Sequence, residues 1–240
     1  MKIQDIIKMK NEILVQLTSL IQRNSMATTL GNRPEIRKLP DRVSSLSEAE
    51  IKEALKEAYK NEVTRRGVRY SDISDTEIEE KIEKVSHWLY TEDPIRGLFL
   101  YGTVGSGKTT LMKAICSLIR ASGSGSNLAV LTTATALFDE YCQFQNDRAN
   151  HYEEMRRARY LFLDDLGIEP SRCLIYGVER YPIQDIIYAR YDRQLVTVIT
   201  SNLDRSGLRD RYGERMYDRM AEMMLPLCFM ATSYRRQTKK

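Results

Sequence analysis

Apolar residues recur at helical spacing in the first part of the chain. Residues 3–21 place isoleucine and leucine side chains three and four positions apart with charged residues between them, which predicts an amphipathic helix. Residues 24–41 have no such period and contain a glycine and two prolines, so we expect a linker there. No strand pattern precedes Gly97, and the N-terminal region is therefore expected to be all-helical.

Two further helices are predicted from their capping residues. Ser47 is followed three positions later by Glu50, and Ser74 by Glu77, which is the spacing of a capping box. An apolar residue flanks each box on both sides, as in the hydrophobic staple. The second of these helices is expected to end before Pro94.

After Gly97, short apolar runs alternate with helical patterns. The predicted strands lie at 98–101, 128–133, 160–165, 195–202 and 227–231. The predicted helices lie at 109–119, 135–157 and 181–194. The apolar strands lack alternation with polar residues, as expected for strands buried on both faces. The sequence therefore predicts an α/β fold with a parallel sheet covered by helices on both faces.

The segment YGTVGSGKTT joins the first predicted strand to the next helix. From Gly102 to Thr109 it matches the pattern G-x-x-x-x-G-K-[ST]. Glycines let backbone N–H groups converge on phosphate oxygens, and the helix N-terminus favours negative charge. Lys108 would reach the β- and γ-phosphates, and Thr109 would hold Mg²⁺. An ordinary helix-entry turn would explain the glycines but not Lys108. The predicted nucleotide-binding residues are Gly102, Thr103, Val104, Gly105, Ser106, Gly107, Lys108, Thr109 and Thr110.

Polar residues at the ends of two other strands fit the same chemistry. Asp164 ends the apolar run YLFLDD and can hold Mg²⁺, and Asp165 can polarise an attacking water. Asn202 ends the fourth strand, where it could orient that water if the two strands are neighbours. The plainer alternatives are a helix cap or turn for the acid pair and a strand-end turn for Asn202.

The segment DRYGERMYDRM carries four arginines, at positions 209, 211, 215 and 219. One of them could neutralise transition-state charge on the γ-phosphate of a neighbouring subunit. Taken singly, each fits a solvated basic face equally well. The residues alone do not choose among them.

Five segments in this order and spacing resemble the AAA+ ATPases of the DnaC/DnaI helicase-loader group and the related IstB-type transposition helpers. They are GLFLYGTVGSGKTTL, YLFLDDLG, VITSNL, YGERMYDRM and ATSYR, within about residues 80–236. The resemblance implies a P-loop AAA+ domain with a five-stranded parallel sheet of order 5-1-4-3-2. It also implies Walker A at Gly102–Thr110, Walker B at Asp164 and Asp165, and sensor 1 at Asn202.

Two arginine roles follow from the resemblance. Arg215 matches the arginine finger that acts in trans, with Arg219 as the second choice. Arg235 matches the sensor-2 arginine, which contacts the nucleotide in cis. Only 38 residues follow Asn202, too few for the C-terminal helical lid typical of AAA+ proteins, and the loader group shares that truncation.

The sequence departs from the family pattern in two places. Asp165 stands where many AAA+ proteins have glutamate, although aspartate is seen in this group, and its shorter side chain is expected to make hydrolysis slow. Oligomerisation or DNA is expected to stimulate the reaction. The N-terminal region lacks the cysteine cluster that some loaders use for zinc. We expect residues 1–78 to be a helical partner-binding region and residues 79–240 to be the ATPase domain.

Basic and aromatic residues are mixed in the segment after the second strand. They are Tyr141, Phe144, Arg148, Tyr152, Arg156 and Arg157. Such a mixture suits single-stranded DNA, with arginines on phosphates and rings on bases. Glu153 and Glu154 beside these arginines favour the alternative, an amphipathic helix with a solvated charged face.

Composition limits the compartment and the partners. The net charge is +4, which permits a nucleic-acid partner without requiring one. The four cysteines form no CxxC pair, and no apolar run approaches the length of a membrane span, about 20 residues. We expect a cytoplasmic protein that does not associate with membranes.

The expected function is an ATP- and Mg²⁺-dependent replication protein. It would form a homo-oligomer on ATP and single-stranded DNA and load a replicative helicase. A transposition-helper ATPase with a transposase partner is the first alternative. A P-loop small-molecule kinase and a non-hydrolysing nucleotide-binding adaptor are alternatives of other classes.

Overall fold

The computed structural model describes residues 45–67, 76–91, 97–122, 129–142 and 149–230, together with Ile95. The predicted helix at 3–21, the linker at 24–41 and the cap at Ser74 lie outside the described residues.

The capping prediction is confirmed for the first described helix. Helix α1 spans Glu48–Thr64, and its N-cap Ser47 forms the full capping box with Glu50. The Ser47 N–H donates to Glu50 Oε2 at 2.8 Å, and the Glu50 N–H donates to Ser47 Oγ at 3.4 Å. Helix α2 spans Thr76–Tyr90. Among the described residues before Gly97, no strand occurs.

The chain then alternates between strands and helices. In order the elements are β1 (Gly97–Gly102), α3 (Lys108–Ser122), β2 (Ala129–Thr133), α4 (Ala134–Cys142), α5 (Ala149–Arg157), β3 (Tyr160–Leu166), β4 (Cys173–Ile175), β5 (Val178–Arg180), α6 (Pro182–Asp192), β6 (Val196–Ser201), α7 (Arg205–Tyr212), α8 (Glu214–Met223) and β7 (Met224–Phe229).

Five of the strands form one parallel sheet of order β2-β3-β6-β1-β7. Numbered 1 to 5 along the chain and read from the β7 edge, these strands run 5-1-4-3-2, as the resemblance predicted. Leu100 lies opposite Thr200, and Leu163 lies opposite Ile199. The carboxyl ends of β1, β3 and β6 therefore lie side by side along one edge of the sheet. Ligands bind at this edge in open α/β folds.

Two hydrophobic clusters cover the two faces of the sheet. One joins residues of α1, α2 and α3 to side chains of the sheet such as Leu98 and Phe162. The other joins residues of α4 to α8 to side chains such as Phe99 and Ile199. Because Leu98 and Phe99 are consecutive, they point to opposite faces of the pleated strand. This arrangement confirms the predicted α/β fold with helices on both faces.

Helix α1 belongs to the same hydrophobic cluster as α3. Its apolar side chains Ile51, Leu55 and Tyr59 are almost fully buried in that cluster. The Ser117 hydroxyl on α3 donates to Glu62 Oε1 on α1 at 3.4 Å. The apolar face of α1 is thus occupied within the chain. The boundary between residues 78 and 79 remains a prediction.

Helices α7 and α8 were not among the predicted elements, and α4 and α5 lie where one helix at 135–157 was predicted. Two further features differ. Strand β7 begins at Met224 rather than at 227, so it includes Pro226. This proline is tolerated because β7 is an edge strand that pairs only with β1. The antiparallel pair of β4 and β5 was not predicted. It turns at Tyr176 and Gly177, whose φ angles of 52° and 77° suit a two-residue hairpin turn.

Candidate nucleotide-binding site

The loop between β1 and α3 takes its shape from three glycines. Gly102, Gly105 and Gly107 have φ angles of 127°, 83° and 97°, which L side chains rarely adopt. A Cβ at Gly102 would lie 2.1 Å from the carbonyl oxygen of Phe229. The Thr103 N–H donates to that same oxygen at 2.9 Å. The end of β7 therefore holds the start of the loop in place.

Lys108 begins α3 and turns back into this loop. Its side chain is buried, and Nζ donates to the carbonyl oxygens of Gly102 at 3.0 Å and Thr103 at 2.6 Å. Ser106 Oγ also donates to the Thr103 carbonyl, at 2.7 Å. The ammonium group thus lies within the curve of the loop and not in bulk solvent.

Asp164 on β3 connects helix α3 to the neighbouring strand β6. Thr109 Oγ1 donates to Asp164 Oδ1 at 2.9 Å, and Thr200 Oγ1 donates to the same oxygen at 2.5 Å. Thr200 Oγ1 also accepts from the Asp165 N–H at 2.9 Å. Asp165 has a φ of 57°, so the backbone turns sharply at the second acid. Three sequence-predicted residues, Thr109, Asp164 and Asp165, are therefore brought together.

Thr200 is part of this site although its role was not predicted. It lies in β6, a strand in which every residue is buried. A polar residue in such a strand needs a hydrogen-bond partner, and this was the one signal in the sequence. The partner itself could be found only from the fold, because Asp164 is 36 residues away.

Asn202 directly follows β6, whose neighbours in the sheet are β3 and β1. The preceding residue, Ser201, pairs with Leu166, and Ser201 Oγ donates to the Leu166 carbonyl at 2.6 Å. The Leu203 N–H donates back to Ser201 Oγ at 3.0 Å. These bonds fix the backbone on both sides of Asn202, whose own side chain is exposed.

The four arginines that the sequence could not rank make different contacts in the structure. Arg209 pairs with Glu214 at 3.1 Å, and the Arg211 guanidinium donates to the Glu169 carbonyl. Arg219 is half-buried and stacks on two tyrosine rings, with its guanidinium carbon 4.4 Å and 5.1 Å from their centres.

Arg215 is exposed and lies 5.2 Å from the ring centre of Tyr188. This leaves Arg215 with the fewest strong contacts of the four arginines. Its role, and that of Asn202, stays a prediction. Arg235 lies outside the described residues.

The mixed basic and aromatic segment is largely explained by internal contacts. Tyr152 is buried, and its ring packs edge-on against Tyr141 at 4.8 Å between ring centres. Arg156 and Arg157 both pair with Glu153, at 3.1 Å and 3.3 Å. These contacts favour the alternative of a solvated, ion-paired helix face. Phe144 and Arg148 lie outside the described residues.

Among the comparisons with known proteins, only the comparison with solved structures finds proteins similar to this chain. No protein-family model matches the chain, and no curated protein matches it. Within the described residues, none of the helices has the length and apolar character needed to cross a membrane.

Several solved structures share the fold. The DnaC helicase loader is 22% identical with a TM-score of 0.54, over 65% of this chain and 92% of that one. DnaI is 23% identical with a TM-score of 0.53, over 65% and 87%. AMPPCP-bound DnaA from Aquifex aeolicus is 16% identical with a TM-score of 0.51, over 68% and 50%. The chain therefore shares its fold with these proteins, and its five-stranded parallel sheet has the strand order that the resemblance in sequence implied.

Proposed function

We propose that this chain is an ATP-dependent DNA replication protein that binds single-stranded DNA and loads a replicative helicase. One observation carries the proposal. The P-loop residues Lys108 and Thr109 lie at the same sheet edge as Asp164, with a direct hydrogen bond between the last two. The fold shared with DnaC, a helicase loader, and with DnaI and DnaA supports the replication setting.

Nucleotide binding is assigned to the loop from Gly102 to Thr110. Its backbone N–H groups and the N-terminus of α3 favour phosphate oxygens. Lys108 holds two neutral carbonyl oxygens, and an anionic phosphate is a stronger partner for its ammonium group. Lys108 is thus already placed to exchange these partners for the β- and γ-phosphates of ATP.

Thr109 and Asp164 are the side chains that would hold Mg²⁺. Asp164 is a buried carboxylate whose partners among the described residues are two hydroxyls. Burying a carboxylate is costly, and a bound cation would relieve that cost. Hydroxyl and carboxylate oxygens are also the ligands that Mg²⁺ prefers. Bound there, Mg²⁺ would neutralise charge on the phosphate oxygens.

Hydrolysis is assigned to four residues, of which Asp165 and Asn202 lie at the same edge. Asp165 accepts a proton from the attacking water, and Asn202 orients that water. Arg215 reaches the γ-phosphate held by a neighbouring copy, which requires a homo-oligomer formed on ATP and DNA. Arg235 contacts the nucleotide in cis. The exposure of Arg215 supports the trans role, because a finger must be accessible to another subunit.

Turnover with and without single-stranded DNA tests the proposal. A loader is expected to hydrolyse ATP slowly and to respond to DNA, and the variant Lys108→Ala is expected to lose this activity. A turnover rate that DNA leaves unchanged would favour a kinase or an adaptor.

Affinity capture with the full chain and ATP, from an extract of its own source, identifies the partner. Recovery of a hexameric helicase of the cytoplasmic replication machinery supports loading. Recovery of a transposase would instead support a transposition-helper ATPase.

A further inference from the structure

Glu169 places a carboxylate inside the protein shortly after the second Walker B acid. It is only 1% exposed. Its Oε2 accepts from the Gly167 N–H at 2.8 Å, and its Oε1 accepts from the Tyr212 hydroxyl. The Arg211 guanidinium donates to its backbone carbonyl. One residue therefore ties the loop after β3 to the end of α7.

Two neighbouring groups, the Tyr212 hydroxyl and the Arg211 guanidinium, stabilise the buried Glu169 carboxylate. Tyr212 is buried, and burial together with the bond to Glu169 raises the pKa of its hydroxyl. The hydroxyl thus keeps its proton and acts as the donor. Arg211 Nε lies 4.0 Å from Glu169 Oε1 and supplies a positive charge nearby. Without such partners a buried carboxylate would be strongly unfavourable.

The loop that contains Glu169 starts directly after β3, whose last residue, Leu166, accepts a hydrogen bond from Ser201 Oγ. Asp165 and Gly167 both have positive φ angles, 57° and 108°. Ile168 is 62% exposed, so its side chain adds little burial. A loop of this kind is free to move unless a specific contact fixes it. The Glu169 side chain, which bonds back to the Gly167 N–H, provides one such contact, and the Arg211 bond to the Glu169 carbonyl provides another.

The end of α7 is held more firmly than this loop. Gln184 Nε2 on α6 donates to the Tyr212 carbonyl at 2.8 Å. The following helix α8 is held by three buried methionines, Met216, Met220 and Met223. The rigid partner in the Glu169–Tyr212 contact is therefore Tyr212, and the element that the contact positions is the loop.

We propose that Glu169 and Tyr212 are positioning residues that hold the loop after β3, and with it Asp165 near the end of that strand, in the arrangement needed for ATP hydrolysis. The inference rests on the proposed ATPase function. Neither residue touches the reacting groups in this account. Both act through the backbone that leads from Asp165 through Gly167 to Glu169.

The test uses the full chain with Tyr212→Phe, Glu169→Gln and the double variant. The first removes one hydroxyl, and the second replaces a charged acceptor with an amide whose NH₂ group opposes a donor. We expect kcat for ATP to fall about tenfold or more in each, because small misplacements of reacting groups are costly. KM and the affinity for AMPPCP stay within about twofold, since the P-loop is untouched. The double variant resembles the single ones, because both break one contact.

Tyr152→Phe is the matched control. Tyr152 is also a buried tyrosine, and its hydroxyl donates to the Pro182 carbonyl at 3.1 Å on a different part of the fold. It removes one buried hydroxyl bond, as Tyr212→Phe does, and is expected to leave kcat within about twofold of the parent. Thermal denaturation of all variants measures any general loss of stability.

Two results contradict the inference, and they are distinguishable. If the parent protein shows no Lys108-dependent hydrolysis, both the proposed function and the positioning role fail. If the parent hydrolyses ATP and Tyr212→Phe keeps its kcat, or loses no more than Tyr152→Phe, the positioning role alone fails.

Discussion

The hydroxyl of Thr200 makes two contacts at once at the carboxyl edge of the sheet. It donates to Asp164 Oδ1 and accepts from the Asp165 N–H, so it aligns both acids of the site. Because every residue of β6 is buried, water has poor access to replace this hydroxyl. At the scale of single residues, Thr200 therefore couples Asp164, the proposed Mg²⁺ ligand, to Asp165, the acid proposed to activate water.

Thr200→Val tests this coupling, since valine keeps the shape and removes the hydroxyl. We expect a loss of about 1–3 kcal/mol in the free energy of unfolding, because the Asp165 N–H loses its acceptor inside the protein. ATP turnover should fall by about tenfold or more, and AMPPCP affinity should change far less. Denaturant titration and steady-state kinetics measure the two effects.

Thr132→Val is the control for this variant. Thr132 lies on β2, and among the described residues its hydroxyl donates to the neighbouring Thr133 carbonyl, at 3.5 Å. Near-normal turnover is expected there. Equal turnover in Thr200→Val and Thr132→Val would show that the Thr200 hydroxyl has no part in hydrolysis.

At the scale of elements, patterns that span many residues were predictable from the sequence. The strands of the main sheet are apolar runs between helical patterns, and the P-loop combines a strand, a glycine turn and a helix. The order of the strands, by contrast, came from the resemblance. It depends on which strands pair, and composition does not encode that.

Short elements and distant contacts were not predictable. Each strand of the β4–β5 hairpin has three residues, too few to show a period. Glu169 looks like an ordinary loop acid in the sequence, since its partner Tyr212 is 43 residues away. Such residues become recognisable only when the fold brings their partners together.

Arg190 on α6 connects several elements of the fold, far from the nucleotide-binding site. It is fully buried, and its guanidinium donates to the carbonyls of Met155, Ala158 and Val196 and to Thr197 Oγ1. Burial lowers its pKa from 12.5 to about 9. These bonds tie the end of α5 to the start of β6, at the edge of the sheet opposite to the P-loop.

Arg190→Met is therefore expected to destabilise the fold by about 3–5 kcal/mol, because four buried acceptors lose their donor. Arg193→Met, at the exposed C-cap of the same helix, should change the free energy of unfolding by less than about 0.5 kcal/mol. Denaturant titration compares the two. Similar stabilities would contradict the structural role of Arg190.

At the scale of the whole molecule, the proposed active site needs two copies of the chain. Arg215 on α8 is exposed, whereas Asp164 is buried beside the P-loop. If the two act on one nucleotide from different subunits, Arg215→Ala and Asp164→Ala should each lose turnover, and Arg215→Ala should still bind ATP. Mixing them should restore part of the activity, because some interfaces combine an intact acid with an intact arginine.

The mixing experiment is measured as ATP turnover against the fraction of each variant at constant total protein. Arg219→Ala mixed with Asp164→Ala tests the second candidate in the same way. Normal hydrolysis by Arg215→Ala as a dilute monomer would contradict the trans assignment.

Equilibrium binding of AMPPCP with Mg²⁺ to the parent protein and to Lys108→Ala tests nucleotide binding by the P-loop most directly. We expect saturable binding by the parent and a loss of about 100-fold in affinity in the variant, equivalent to about 2.7 kcal/mol. No binding by the parent at millimolar nucleotide, or equal binding by both proteins, would contradict this expectation.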